Sequence, residues 1–83
     1  MERVEIPMPF TPREHKILSL VASGCTNPVI AERLVVVLKT VEFHVHNILG
    51  KTGAKNRFEA VEYARSRGFL PPSEWDSNIL WSE

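Results

Sequence analysis

Apolar positions in this chain of 83 residues recur mostly at helical spacing, broken by a few glycines and prolines. Thr11-Pro12-Arg13-Glu14 has the form of a capping box with proline at the first helical position, so a helix starts there. Ile17, Leu18 and Val21 continue on one face, and Gly24 is placed to end it. Thr26 or Asn27 can cap a second, short helix whose first turn tolerates Pro28 and whose apolar side is Ile30, Ala31 and Leu34. A third helix is predicted over 39–52. The fourth opens on Asn56-Arg57-Phe58-Glu59, resembling a capping box, turns Ala60, Val61 and Ala64 inward and stops at Gly68. The run Val35-Val36-Val37-Leu38 would suggest a strand by itself, but one short strand has nothing to pair with, so it is read as a buried turn. The predicted fold is all-α, a compact four-helix bundle. A short helix, a tight turn and a longer helix with a polar outer face make its centre a helix-turn-helix. Tails over 1–8 and 71–83 flank a domain at 9–70, with Pro71-Pro72 ending regular structure.

The helix at 39–52, KTVEFHVHNILGKT, has two faces. At about 100° per residue, Val41, Val45, Ile48, Leu49 and Thr52 share one side. Lys39, Glu42, Phe43, His46 and Gly50 share the other. The first side is a core. The second mixes a cation, an anion, an aromatic ring and an imidazole, which is not what simple solvation selects.

Composition narrows the classes. Eighty-three residues make one domain, small enough that every helix must contribute to the core. No apolar run is long enough to span a bilayer, and MERVEIPMPF has acidic residues where a secretory leader would be apolar, so a cytoplasmic protein without a membrane partner is expected. Cys25 is the only cysteine, which leaves no disulfide framework or thiolate cluster. No arrangement of nucleophile and base, no phosphate-cradling glycine loop and no metal-ligand spacing is visible; neither an enzyme, a cofactor nor a metal is expected. His44 and His46, two apart on a helix, diverge by about 200° and do not form a metal pair.

Net charge is zero, but it is unevenly spread. Residues 39–57 hold Lys39, Lys51, Lys55 and Arg57 against Glu42, a net of +3. Residues 58–83 hold Arg65 and Arg67 against Glu59, Glu62, Glu74, Asp76 and Glu83, a net of −3. A local basic segment matters more for phosphate contact than the sum over the chain.

GCTNPVIAERL followed by KTVEFHVHNILGKTGAKNRFEAVEYARSRG resembles the LuxR-type DNA-binding domain. That family's usual pattern is TPRE near the start, G-x-[ST]-N-x-x-IA-x-x-L, then KTV-x-x-HV-x-N-I-x-x-K-x-G-x-x-NR-x-EA. The likeness covers roughly residues 9 to 70, with its elements in order and at the right spacing. It implies a transcriptional regulator that binds double-stranded DNA, with the third helix in the major groove and the fourth supplying a homodimer contact. By motif position, Glu42, Phe43 and His46 face base edges. Lys39, Thr40, Asn47 and Lys51, with Thr26 and Asn27 at the second helix's start, face phosphate. Glu62, Tyr63 and Ser66 are the dimer candidates. The family usually joins this domain to a sensor, so a sensor domain or protein partner outside this chain is expected.

The chemistry suits those roles: a carboxylate accepts from cytosine N4, an apolar ring touches a thymine methyl, and imidazole donates to or accepts from a purine edge. Blander readings stand beside them. His44 is expected to pack and hydrogen-bond, Lys51 and Lys55 to be solvated charges, and Tyr63 to be an ordinary exposed ring. Arg57 either meets phosphate or ties down the loop after Gly53.

Four positions depart from the family pattern. Val37 replaces a Ser-like N-cap at a cost of about 1 kcal/mol. Glu42 stands where a basic residue is common, Pro28 where lysine is common, and Thr52 where leucine is usual. Together they predict a weaker DNA binder or an unusual site. Two other readings remain: a degenerate helix-turn-helix used mainly for protein contact, and a promoter-binding region resembling that of a sigma factor. NR-x-EA and His44 favour the LuxR type. Trp75, Ile79, Leu80 and Trp81 make the C-terminal tail too apolar for a plain linker, and it is expected to pack on the domain or on a dimer mate.

Overall fold

The computed structural model describes residues 9–71. Four helices follow one another there: α1 Pro12–Ala22, α2 Asn27–Leu34, α3 Leu38–Thr52 and α4 Arg57–Ser66. The flanking tails, including the expected packing of Trp75, Ile79, Leu80 and Trp81, lie outside the described residues.

The opening of α1 is a complete capping box. Thr11 Oγ1 accepts from the Glu14 N–H at 3.1 Å, and Glu14 Oε1 accepts from the Thr11 N–H at 3.0 Å. The opening of α4 is only half of one. Asn56 Oδ1 accepts from the Glu59 N–H at 3.0 Å, whereas the Glu59 carboxylate reaches past the cap to the Lys55 N–H at 2.9 Å. Thr26 and Val37 stand at the N-caps of α2 and α3, and neither side chain makes a capping bond.

Three of the helices stop in the same way. At the end of α1 the Gly24 N–H donates to Val21 O and the Cys25 N–H to Leu20 O. At the end of α4 the Gly68 N–H donates to Arg65 O and the Phe69 N–H to Ala64 O. Val35 and Val36 repeat the pattern at the end of α2, donating to Glu32 O and Ala31 O. This is the paired-bond stop that needs one left-handed residue. Gly24 fills it at φ 95° and Gly68 at φ 80°, but in α2 it falls to Val35 at φ 58°. A β-branched side chain is strained there.

That geometry corrects the reading of 35–38 as a buried turn. The turn between α2 and α3 exists, but Val35 is 88% exposed and Val37 68% exposed, and only Val36 packs partly against the core. A chain reversing over three residues at the surface has no neighbouring element to cover both flanking valines.

The core is built from Phe10, Ile17, Leu18, Val21, Ile30, Ala31, Val41, Ile48, Ala60, Val61, Ala64 and Leu70. Ala60 and Ala64, four apart and fully buried, give α4 a smooth stripe against which α1 lies closely. α3 touches all three other helices, so its inward side is fixed from every direction. Phe10 and Phe69 meet edge to face at 6.0 Å, and a ring nitrogen, Nε2, of His15 lies 2.7 Å from Phe69 O. Together they fasten the beginning of α1 to the segment after α4.

Candidate nucleic-acid interface

α3 is held by its inward face and leaves its outward face free. Val41 and Ile48 are fully or almost fully buried, with Val45 and Leu49 packed beside them. Thr52, placed where leucine is usual, spends its hydroxyl on the helix end: it donates to Ile48 O at 3.0 Å and accepts from the Ala54 N–H at 3.2 Å. Opposite, Lys39, Glu42, Phe43, His46 and Gly50 are exposed, spaced three and four apart along a single stripe. Phe43 is 61% exposed and leans edge-on to His44, with centroids 5.7 Å apart. Thr40 and Asn47 flank the stripe half-buried.

The other expected contacts divide. Thr26 is exposed at the start of α2, and Asn27 is half-buried beside it. The side-chain Oδ1 of Asn27 accepts from Arg57 Nη1 at 2.7 Å, so Arg57 ties the start of α4 to the start of α2 rather than holding the loop after Gly53. The Lys51 ammonium is directed into the domain. It donates to Glu14 Oε1 at 2.6 Å and to Pro9 O at 3.1 Å, while its stem runs along the surface.

Glu14 is the functional-looking residue that helical periodicity alone passes over. The residue is 4% exposed, and its carboxylate caps α1 and anchors Lys51 of α3. Burial by itself would raise its pKa. Burial is the largest single influence, but the Lys51 hydrogen bond, the Thr11 N–H and the charges of Lys51 and His44 together outweigh it, and the pKa lies below the ordinary glutamate value. His44 packs half-buried between the two faces, as expected of it, but its Nδ1 is buried without a hydrogen-bond partner among the described residues. On α4, Glu62 and Ser66 are exposed, and Tyr63 is half-buried under the Arg67 guanidinium, 3.9 Å from the ring centroid.

Among the described residues no helix is long and apolar enough to cross a membrane. Two comparisons place the arrangement. The chain is similar to the transcriptional regulatory protein YxjL of Bacillus subtilis, 44% identical over 66 residues, covering 80% of this chain and 30% of that protein. It is similar also to the oxygen regulatory protein NreC of Staphylococcus aureus, 48% identical over 58 residues, covering 70% of this chain and 27% of that one. The chain thus spans less than a third of the length of the curated relatives it matches. The family model of bacterial regulatory proteins, luxR family, matches residues 8–64, more than half of the sequence and all of α1, α2 and α3, and the chain belongs to that family.

Proposed function

We propose that this chain is the DNA-binding effector part of a cytoplasmic transcriptional regulator, with α3 lying in the major groove. The observation that carries the reading is the outward stripe of α3, a rigidly backed helix face that keeps Glu42, Phe43 and His46 in solvent. Those three meet base edges, and Lys39, Thr40 and Asn47 meet phosphate on either side. Thr26 and Asn27 add a phosphate contact at the start of α2, where the Asn27 and Val29 N–H groups precede the first helical bonds. Lys51 takes no direct part, because Glu14 and Pro9 already hold its ammonium. Two copies pair through Glu62, Tyr63 and Ser66 and read a two-fold site, and a sensing portion or protein partner outside this chain controls them. The relatives, a transcriptional and an oxygen regulatory protein by name, support a regulatory rather than an enzymatic role.

The test is at Glu42. Replacing it with Lys exchanges a repulsive for an attractive charge, so affinity for random duplex should rise. If the new ammonium reaches phosphate, the log–log salt slope steepens by about 0.9. Preference for a selected site should fall by about 1–3 kcal/mol where Glu42 reads cytosine. Glu59→Gln serves as control, since its amide oxygen can still accept from the Lys55 N–H while a charge is lost away from this face. Unchanged random-duplex affinity and salt slope in a folded Glu42→Lys protein would remove α3 from the groove.

A further inference from the structure

Two shallow concavities lie side by side where α1 ends, α2 begins and α4 passes. Val21, Cys25, Pro28, Arg57 and Phe58 line one. Val21, Ala22, Val61, Glu62 and Arg65 line the other, and Phe58 borders both. Both walls are mainly apolar, yet the Phe58 ring between them is 70% exposed. An aromatic ring left in water beside an apolar groove is favourably covered. Arg65 adds a polar demand, since its Nε is buried with no hydrogen-bond partner among the described residues. A buried guanidinium N–H without an acceptor is costly, and a carboxylate satisfies it best.

We propose that this groove holds the chain's own segment Glu74–Trp81, with Trp75 against Val61 and Phe58 and the Glu74 and Asp76 carboxylates beside Arg65. Reach permits it. Pro71 follows the C-terminal end of α4, and α4, with 10 residues, is about 15 Å long. Four further residues extend up to about 14 Å, enough to bring Trp75 back alongside Arg65 and Val61, and Trp81 can reach beyond Phe58. Chemistry matches as well. The segment SEWDSNILWSE offers two indoles, an isoleucine and a leucine to the apolar walls. Its acids meet a rim carrying Arg57 and Arg65 against the single anion Glu62. The occupied face of α4, at 58, 61 and 65, is turned away from Tyr63, and Glu62 stands at the border between the groove and the proposed pairing surface, so docking and pairing share only that edge of the helix. The docking is independent of whether α3 binds DNA.

Trp75 and Trp81 are the two tryptophans of the chain, so indole emission reports this segment alone. In the full chain without DNA, the docked segment should emit to the blue of free tryptophan at every protein concentration and resist acrylamide. Phe58→Ser removes the apolar wall. Glu74→Lys with Asp76→Lys leaves residues 9–71 untouched, so that variant decides the matter even if the first unfolds. Each should move the emission to that of free tryptophan and raise the quenching constant several-fold, with helical circular dichroism unchanged in the second. Solvent-like emission in the unaltered chain overturns the proposal, as does persistence of buried emission in either folded variant. Emission that turns solvent-like on dilution also overturns it, by assigning the segment to a second copy.

Discussion

Val35 offers a substitution that should stabilise the domain. It holds the left-handed position closing α2, and the same position in the other three helices is taken by Gly24, Gly53 and Gly68. The left-handed conformation costs an L-residue about 1–2 kcal/mol, and β-branching puts valine at the upper end. Because the side chain is 88% exposed, its removal forfeits almost no burial. Glycine adds freedom to the unfolded chain, which offsets about 0.5–1 kcal/mol of the relief. Val35→Gly should therefore gain about 1 kcal/mol, and Val35→Asn a similar amount, because asparagine tolerates the conformation with less unfolded-state entropy. For a domain of this size about 1 kcal/mol corresponds to about 4–8 °C in Tm, readily seen by circular dichroism or calorimetry. Val29, 36% exposed in the first turn of α2, is the comparison at which glycine relieves no strain: Val29→Gly loses side-chain burial as well as helix propensity and should lower stability by about 1 kcal/mol. If Val35→Gly lowers Tm as Val29→Gly does, the turn does not hold Val35 in that conformation, and the account of the helix-turn-helix corner fails.

Lys51→Met leaves the Glu14 carboxylate buried without its cation, and should cost about 2–3 kcal/mol at pH 7 in urea unfolding; an unchanged midpoint would contradict the pairing. Glu14 also sets an acid limit. Its folded pKa is below the ordinary value, so its contribution is complete above about pH 4.3 and is lost as pH falls further, and Glu14→Gln should flatten that part of the stability profile. On α4, Tyr63→Glu should weaken binding to a duplex with two half-sites more than to a single half-site, and equal losses on both would argue against pairing through that face.

Much of the fold was legible because its signals are local. A proline after Thr11, glycines at 24, 53 and 68, and apolar residues three and four apart each act within one turn of chain, and the helices begin and end close to where those residues place them. The hydrophobic run at 35–38 misled because periodicity reports what a residue prefers, and at a tight reversal geometry leaves nothing to bury it. The candidate interface was half legible. The outward stripe of α3 follows from the helical wheel, but the commitment of Lys51 does not, since Glu14 lies 37 positions earlier and only packing brings them together. The same holds for Arg57 and Asn27, 30 apart. A buried acid in the first turn of α1 was the available clue, because the oxygen that accepts the cap's N–H keeps a lone pair free and a buried carboxylate calls for a cation.

The contact of Phe10 with Phe69, beside the His15 link, brings the entrance and exit of the helical domain to one pole. Lys51 reaching Pro9 O puts the trailing end of α3 at that same pole, while Lys39 lies about 18 Å away along the axis. Anything tethered upstream of Phe10 or downstream of Phe69 therefore pulls on the domain from behind α3, as a handle holds a blade. Bulk added there encumbers the heel of the helix before its tip. The adjacency also makes the domain suited to circular permutation: a short bridge from Leu70 to Pro9 with new ends opened at Lys55, in the loop between α3 and α4, keeps all four helices and the buried Leu70.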